Sequence, residues 1–290
     1  MQQPLVSIIL PVYNTAAFIA ATIESVLKQT YQHFELLVLD DGSTDGVASI
    51  IKRYTDTRIC YIANDKNYGL IYTLNKGLQL AKGDFIARLD GDDICVPTRL
   101  EKQVAWLLAN PSTAMVASTI QYIDAAGKLI DTVWPQDLKY ITAEAIKQYL
   151  PKDNCIAHPT VMFNKKHIQE VHYRDLTTFY GNDYLANNAT EKNLSLAEDY
   201  DLWLWMLSLN KRIDKINEPL LLYRTHTQSI TGTRKQSKNV FAIHYQCKKR
   251  FLLYAYQHGQ WNAFCNRVLF YTIIDGIMSV LKNLKRKFKK

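Results

Sequence analysis

Two glycine-rich signatures of nucleotide-binding proteins are absent from this chain. Neither a GxGxxG fingerprint nor a GxxxxGKS/T loop occurs among its 290 residues. The first absence counts against a dinucleotide site, and the second counts against P-loop phosphate chemistry. If the chain binds a nucleotide, it must hold the phosphate groups by other means.

Cysteine is scarce and scattered. The five cysteines are far apart in the chain, and no two of them form a CxxC pair. This spacing argues against a disulfide framework and against a thiolate zinc site. The N-terminus also lacks the basic segment and long apolar run of a signal peptide. These absences predict a cytoplasmic protein.

Long uninterrupted hydrophobic runs are missing as well. No stretch reaches the roughly 18 consecutive apolar residues that would predict a transmembrane helix. One apolar stretch, residues 268–281, is interrupted by Asp275 and Gly276, and six basic residues follow it at positions 282–290. An apolar helix next to a basic cluster predicts an element that lies on an anionic membrane surface. A helix packed on the rest of the protein, with a solubilising end, is the alternative.

The net charge of +8 arises from 35 basic and 27 acidic residues. Such a surplus suits nucleic acid, a membrane surface or a phosphorylated substrate. Here the excess is concentrated in the tail and is not interleaved with aromatic residues. The charge pattern therefore disfavours a nucleic-acid-binding function.

Strand-like and helix-like segments alternate through the first 120 residues. Five apolar runs have the length and composition of buried strands, and segments with apolar residues at helical spacing separate them: LVSIIL, FELLVL, RICYIA, DFIARL and AMVAST. This alternation predicts an α/β protein with a Rossmann-like, mostly parallel sheet flanked by helices, and with a C-terminal helical extension. The polar segment 172–195 is typical of a binding loop or lid.

Polar clusters follow three of these strands. PVYN, DDGSTDG and DGDD each begin where a strand ends. Ligands of open α/β sheets collect at the carboxyl ends of the strands. Neighbouring carboxylates there suit Mg²⁺ or Mn²⁺, which prefer oxygen ligands and often share a diphosphate. A solvated acidic turn without a metal is the alternative.

Several motifs together resemble those of the inverting family 2 glycosyltransferases with the GT-A fold. VSIILPVYN, LLVLDDGSTDG, NYGLIYTLNKG and ARLDGDD occur in that family's order and spacing. Downstream, HPTVMF, AEDYDLW and YRTHTQSIT resemble the acceptor-half motifs of bacterial members. The resemblance covers about residues 4–232 and implies transfer of a sugar from a nucleoside diphosphate sugar to a hydroxyl group.

The resemblance implies a donor site built from the first motifs. Asp41 is expected to bond the base, and a carboxylate acceptor favours uracil and hence a UDP-sugar. The remaining donor-site residues that the family pattern implies are Pro11, Val12, Tyr13, Asn14, Asn67, Arg88, Asp90 and Gly91. A basic residue that many relatives carry near the diphosphate is missing, and whether Lys66 or Lys76 replaces it stays open.

The resemblance also implies a divalent metal, Mn²⁺ or Mg²⁺. Asp92 and Asp90 of DGDD correspond to the family's DxD motif, and His226 corresponds to a histidine that returns to the metal or the diphosphate. Asp93 is expected to support the motif or the start of the following helix. For Arg88, a purely structural ion pair is an open alternative.

The catalytic residues implied are Asp199, as general base, and its neighbour Glu198. His158 and Trp203 are expected on the acceptor side, although a core position for Trp203 is equally compatible with the sequence. The three expected divisions are a donor half (1–120), an acceptor half (121–235) and a basic helical extension (236–290).

The implied setting is surface polysaccharide synthesis. The acceptor is then a glycan or lipid-linked glycan, and the enzyme is peripheral on the inner face of the cytoplasmic membrane. A nucleotidyltransferase acting on sugar phosphates and a catalytically silent nucleotide-sugar-binding module are the alternatives. The first would not need the downstream acids at 198–199, and the intact carboxylates argue against the second.

Overall fold

A computed structural model describes residues 3–174, 197–227 and 239–287, except the side chains of residues 286 and 287. The chain divides into two compact units. The first contains residues 1–146, 155–172 and 212–226, and the second contains residues 147–154, 173–211 and 227–290. The expected division at residue 120 falls within a strand. Most of the segment predicted as a lid, from residue 175 onward, lies outside the described residues.

One eight-stranded sheet forms the centre of the first unit. Its strands lie in the order β3-β2-β1-β4-β7-β6-β8-β5. The strands are β1 (Val6–Val12), β2 (Phe34–Asp40), β3 (Ile59–Ala63), β4 (Phe85–Arg88), β5 (Ile94–Cys95), β6 (Thr113–Ile123), β7 (Met162–Asn164) and β8 (Arg212–Arg224). β1 pairs in parallel with β2 and β4, β2 with β3, and β6 with β8. β5 and β7 pair antiparallel with their neighbours, so the sheet is mixed.

Helices alternate with the first strands, as the sequence predicts. The helices of the first unit are α1 (Ile19–Leu27), α2 (Val47–Ile51), α3 (Leu70–Leu80), α4 (Arg99–Ala109) and α5 (Pro135–Lys139). α6 (Ala143–Tyr149) spans the division between the units. The second unit contains α7 (Glu198–Ser208), α8 (Val240–Gln257) and α9 (Ala263–Lys287).

β1 is buried along its whole length because helices cover both of its faces. Its even-numbered residues, such as Ile8 and Leu10, join a core cluster with α1, α2 and α4. Its odd-numbered Ile9 faces α3, where Gly77 lies against it. Alternate side chains of a strand point to opposite faces, which explains why LVSIIL has no polar position exposed to solvent.

The start of α2 does not use the hydroxyl side chains that precede it as caps. Ser43 and Thr44 are residue types that commonly cap helices, but the residue directly before α2 is Gly46, whose φ of 86° lies in the left-handed region. Asp45 accepts a hydrogen bond from the first helical N–H instead, at 3.1 Å. Ser43 and Thr44 form hydrogen bonds with Asn14, in the loop that follows β1.

The second unit packs around α7. Tyr200 and Trp203 are fully buried there. Arg174 forms a buried ion pair with Asp201 at 2.9 Å and lies over the ring of Trp205, 4.9 Å from its centroid. A buried pair of this kind is costly to break because the remaining charge stays without a partner.

Helix α9 corrects one prediction from the sequence. Residues 263–285 form a helix that is long and apolar enough to cross a membrane. An 18-residue window within it has a mean hydropathy of 1.4, and 28% of that window is buried in the protein. Searching for uninterrupted apolar runs missed it, because Asp275 and Gly276 divide the run. Length and composition alone do not decide whether such a helix spans a membrane.

Gly77 should be required by packing between α3 and the sheet. A Cβ at this position would lie 2.6 Å from Cγ2 of Ile9 and 2.8 Å from Cδ1 of Leu39. Alanine normally stabilises a helix interior relative to glycine by about 0.5–1 kcal/mol. We expect Gly77→Ala to lower the free energy of unfolding instead, by about 1–3 kcal/mol. Denaturant unfolding, with the exposed Gln79→Ala as control, measures this; a stabilised Gly77→Ala protein would contradict it.

Candidate active site

The loops after β1 and β2 are joined at the carboxyl edge of the sheet. The backbone N–H of Asn14 donates to Ser43 Oγ at 3.0 Å, and the N–H of Thr44 donates to Asn14 Oδ1 at 2.9 Å. Asn14 has φ 54°, a left-handed conformation that asparagine tolerates better than most residues. The predicted donor-site residue Asn14 therefore shapes this edge through its backbone and its side chain.

Tyr13 stands out beside this junction. Its side chain is 49% exposed, whereas the preceding Pro11 and Val12 are buried in β1. A half-exposed aromatic ring at a strand end offers a flat apolar surface to a ligand. Its position is consistent with the predicted contact to a nucleotide base.

Asp41 is buried and fixes a second loop. Its Oδ1 accepts hydrogen bonds from Asn64 Nδ2 and from the N–H of Tyr68, both at 2.9 Å. Its Oδ2 accepts the N–H of Gly69 at 2.8 Å. The carboxylate that was predicted to bond a base thus also holds residues 64–69 in place.

The loop of residues 64–69 explains why position 42 requires glycine. Its φ is +74°, and a Cβ there would lie 2.5 Å from the carbonyl carbon of Lys66. Only glycine permits both this conformation and this approach. The arrangement places Asn67 at the surface of the loop.

The two lysines considered as phosphate ligands have contacts within the protein. Lys76 Nζ donates to Asn64 Oδ1 at 2.7 Å, and Asn64 in turn donates to Asp41. Lys66 Nζ lies 5.1 Å from the ring centroid of Tyr68. Lys76 therefore supports the loop that Asp41 organises.

The three acids of DGDD lie close together. Asp90, Asp92 and Asp93 each offer a carboxylate oxygen, and these atoms all lie within 4.8 Å of one another. Arg88, which is 4% exposed, donates to Asp90 at 2.5 Å. Arg88 is therefore paired with an acid of the motif, and the cluster carries more negative charge than this pair neutralises.

Asp93 is the most deeply buried acid of the cluster. Its Oδ1 accepts the N–H of Arg224 at 2.8 Å, whereas its Oδ2 is buried and has no hydrogen-bond partner among the described residues. Burial raises the pKa of Asp93 well above its usual value, and the charges of Asp92 and Asp90 raise it further. A buried carboxylate oxygen without a partner, next to two other carboxylates, fits a bound cation.

His226 joins the cluster from a distant part of the sequence. Its Nε2 lies 2.9 Å from Asp92 Oδ2, and its ring lies 4.6 Å from that of Phe18. The structure thus brings together the predicted metal-site residues Asp90, Asp92 and His226. Carboxylate oxygens and an imidazole nitrogen together suit Mn²⁺ or Mg²⁺.

Arg224 and Thr22 also support the motif, although neither was predicted from the sequence. Arg224 Nε donates to the carbonyl oxygen of Asp92 at 2.7 Å. Thr22 Oγ1 donates to the carbonyl oxygens of Asp93, at 2.8 Å, and of Gly91, at 3.1 Å. Its position two residues before His226 was the one feature of the sequence that could have indicated a role for Arg224 near this motif. These bonds hold the backbone of residues 91–93, so the carboxylates project from a fixed turn.

His158 is buried close to Arg88. Burial lowers the pKa of His158 well below its usual value, and the positive charge of Arg88 lowers it further. Its imidazole is therefore neutral at physiological pH. The predicted acceptor-side residue Trp203 belongs to the second unit, where its side chain is fully buried and packs in the core.

In the second unit, Glu198 and Asp199 occupy the first turn of α7. Acidic side chains are stabilised there by the positive end of the helix dipole. Asp199 Oδ2 accepts a hydrogen bond from Asn154 Nδ2 at 3.0 Å, and both residues are half-buried. A carboxylate oriented in this way can accept a proton from a ligand hydroxyl group.

The chain matches the family model for glycosyl transferase family 2 over residues 7–171. It is 34% identical to the O-antigen biosynthesis glycosyltransferase WbnJ of Escherichia coli over 230 residues, which is 78% of this chain and 81% of that protein. It is 30% identical over 232 residues, 79% of this chain and 81% of the relative, to the E. coli UDP-Glc:alpha-D-GlcNAc-diphosphoundecaprenol beta-1,3-glucosyltransferase WfaP. An uncharacterized glycosyltransferase of Methanocaldococcus jannaschii, MJ1057, is 29% identical over 290 residues, 97% of this chain and 90% of the relative.

Solved structures share the fold. The mannosyltransferase PcManGT from Pyrobaculum calidifontis, in complex with GDP-Man and Mn²⁺, has a TM-score of 0.63 and 15% identity over 97% of this chain and 74% of that chain. TarS of S. aureus, in complex with UDP-GlcNAc, has a TM-score of 0.59 and 16% identity over 90% of this chain and 72% of that chain. At these identities the likeness shows the fold alone, and it confirms the predicted GT-A fold.

Asp92→Asn should weaken binding of Mn²⁺ by at least about tenfold, because it removes a charged ligand without changing volume. Asp131→Asn, the same change at an exposed aspartate of the same unit, should leave Mn²⁺ binding unchanged. Isothermal titration of the folded proteins with Mn²⁺, in the presence of UDP, measures both. Equal affinity in Asp92→Asn and the unsubstituted protein would remove Asp92 from the metal site.

Proposed function

The chain belongs to glycosyl transferase family 2, and on this basis we propose that it transfers a sugar from a nucleoside diphosphate sugar to a glycan hydroxyl group, with inversion, in surface polysaccharide synthesis. The relative WbnJ is named for O-antigen biosynthesis. The observation that carries the mechanism is the cluster of Asp90, Asp92 and Asp93 with His226 at the carboxyl edge of the sheet. Such a cluster suits a divalent cation that also binds a diphosphate, and a nucleoside diphosphate sugar supplies the diphosphate.

We propose a UDP-sugar as the donor. Uracil carries an N–H group, and a carboxylate such as Asp41 can accept a hydrogen bond from it. The ring of Tyr13 can pack against the base. The relative WfaP is named for UDP-Glc, and TarS was solved with UDP-GlcNAc. PcManGT was solved with GDP-Man, so the fold also accepts a guanine nucleotide. Asn14 and Asn67 lie on the loops that would border the nucleotide.

Asp90, Asp92 and His226 are the residues that would hold a divalent cation. Asp93 is buried beside them, and the backbone N–H of Arg224 fixes its carboxyl group. When bound, the cation stabilises the negative charge that develops on the departing diphosphate. Arg88 neutralises Asp90 in part.

Asp199 is the proposed general base, with Glu198 beside it. In an inverting transfer, the acceptor oxygen forms a bond to the anomeric carbon from the face opposite the diphosphate, and the bond to the diphosphate oxygen breaks with its electron pair. The acceptor hydroxyl proton passes to the Asp199 carboxylate, whose orientation Asn154 fixes. No covalent sugar–enzyme intermediate is needed. The mechanism assigns no acceptor contact to Trp203, whose indole is buried.

The two other functions considered from the sequence are less well supported. A nucleotidyltransferase would share a diphosphate–metal site, but the chain matches the model of a glycosyltransferase family over more than half its length. A silent binding module would have no need of a carboxylate oriented by a hydrogen bond at the start of α7.

Asp199→Asn should lower kcat by about 100-fold or more, because it removes the proton acceptor. The affinity for UDP should stay unchanged, since the base acts on the acceptor. Steady-state kinetics and calorimetric titration with UDP measure the two quantities, with Asp131→Asn as control. If nucleotide affinity falls instead, Asp199 belongs to the donor site and the base must be sought elsewhere.

We also propose that α9 rests on an anionic membrane surface. One side of α9 is bound to α8: Asp275 pairs with Lys248 at 2.7 Å, and the carbonyl oxygen of Ser279 accepts a hydrogen bond from Asn239 at 3.0 Å. The other side exposes large apolar side chains, among them Phe270, Ile273, Ile277, Val280 and Leu284.

Because one side of α9 is bound to α8 and the other is exposed and apolar, we favour a helix that lies in the plane of the membrane over one that crosses it. A spanning α9 would have to break the buried Lys248–Asp275 pair or carry α8 with it. The basic residues after the apolar face, beginning with Lys282 and Lys285, suit anionic headgroups. A membrane-bound position agrees with a lipid-linked acceptor, the kind that the name of WfaP specifies.

Ile273→Asp/Ile277→Asp should weaken binding to vesicles of anionic phospholipid by at least about tenfold, because both side chains, 56% and 57% exposed, would otherwise enter the lipid. Activity on a short soluble acceptor should survive. Leu108→Asp, a change at a 56% exposed leucine of α4, is the matched control. Co-sedimentation at low and high salt measures binding; an unsubstituted protein that ignores anionic vesicles at low salt would refute the membrane proposal.

A further inference from the structure

The loop of residues 150–154 is held from two sides within the second unit. On one side, Tyr200 Oη donates to the carbonyl oxygen of Leu150 at 2.6 Å. On the other, Lys248 Nζ donates to the carbonyl oxygen of Lys152 at 2.7 Å. The loop ends at Asn154, whose amide contacts Asp199. The position of that amide therefore depends on how the loop is anchored.

Lys248 is an unusual anchor because its side chain is completely buried. A second bond joins its Nζ to Asp275 Oδ2 on α9, also at 2.7 Å. Burial lowers the pKa of Lys248, and Asp275 opposes this shift. Taking two charges out of water is expensive, and an apolar pair of similar volume often serves stability as well. The pair therefore calls for an explanation other than stability.

α8 meets the loop at a second point. His244, one helical turn before Lys248, brings its Nε2 to 3.6 Å from Asp153 Oδ1. Residues four apart lie on the same face of a helix. α8 thus contacts two consecutive loop residues, Lys152 and Asp153, and Asn154 follows directly.

We propose that Lys248 is a positioning residue for Asp199: paired with Asp275, its ammonium group holds the Lys152 carbonyl and so places the Asn154 amide against the carboxylate of the base. The inference rests on the proposed function, because it needs Asp199 as general base. The carbonyl of Lys152 lies only two residues before Asn154 in the chain, so fixing it restricts the backbone of Asn154. An apolar side chain at position 248 could fill the space but could not bind that carbonyl.

Loss of this positioning should lower kcat and leave donor binding unchanged. The amide of Asn154 restricts the rotation of the Asp199 carboxylate, and a base must be oriented toward the proton it accepts. Removing both charges, as in Lys248→Met/Asp275→Leu, leaves no unpaired buried charge. We expect this pair variant to lower kcat by about tenfold, the loss of one hydrogen bond to a charged group, with the donor KM unchanged.

A double-mutant cycle tests whether Lys248 acts through Asn154. Asn154→Ala should also lower kcat by about tenfold. Adding the pair variant to Asn154→Ala should then lower kcat by less than about twofold further, because the connection is already cut. Lys249→Met, the same substitution at the neighbouring exposed lysine, is the control and should leave kcat unchanged. All measurements use the full chain, a soluble acceptor and protein shown to be folded by thermal unfolding.

Two outcomes would overturn the inference. In one, the pair variant is less stable but retains its kcat; in the other, it lowers kcat by the same factor with and without Asn154. If the pair variant does not fold, Lys248→Met/Asp275→Asn, which also removes both charges and keeps the shape of the side chain at position 275, takes its place in the same cycle under the same criteria. The proposed function is judged separately: near-normal kcat in Asp199→Asn would remove the base itself, whatever the cycle shows.

Discussion

The repulsion among three neighbouring carboxylates is the constraint on which the candidate active site depends. Asp90, Asp92 and Asp93 follow a fully buried strand, and Asp93 is itself buried, so water screens the repulsion at Asp93 poorly. The surrounding structure supplies partial compensation from Arg88 and from the backbone of Arg224. The compensation is incomplete, since Asp93 Oδ2 is buried and no residue in the described part of the chain bonds to it. The divalent cation that we propose for this site would complete the compensation, and the cost of assembling the acids would then contribute to affinity for a metal–diphosphate ligand.

The fold provides the rigidity that this arrangement needs. Parallel strands place the loops after β1, β2 and β4 at one edge of the sheet. Asn14 and Asp41 then use their hydrogen bonds to lock neighbouring loops to each other. In the second unit, the buried ion pair of Arg174 with Asp201 fixes the first turn of α7. Polar side chains thus support the backbone in each unit, and we propose that others bind the substrate.

Most of the first unit could be predicted from the sequence, because its strands are continuous apolar runs and its helices have regular apolar spacing. The pairing of Asp92 with His226 was expected only through family resemblance, since 134 positions separate them. The roles of Arg224 and Thr22 were not predicted, because their side chains bond to backbone carbonyl oxygens, and such contacts leave no pattern in composition. Strand β8 escaped prediction for a related reason: charged and polar residues interrupt its apolar positions. The Lys248–Asp275 contact depends on the packing of α8 against α9, which the sequence does not reveal.

The most direct test of the account is a donor screen with the purified full chain. Donors with uridine and guanosine nucleotides are incubated with Mn²⁺ and a soluble glycan acceptor. Release of nucleoside diphosphate is followed, and the anomeric configuration of the product is read by NMR. The account predicts Mn²⁺-dependent release of UDP, matched by a glycoside of inverted configuration, and loss of both on chelation. A glycoside of retained configuration, or transfer undiminished by chelation, would contradict it.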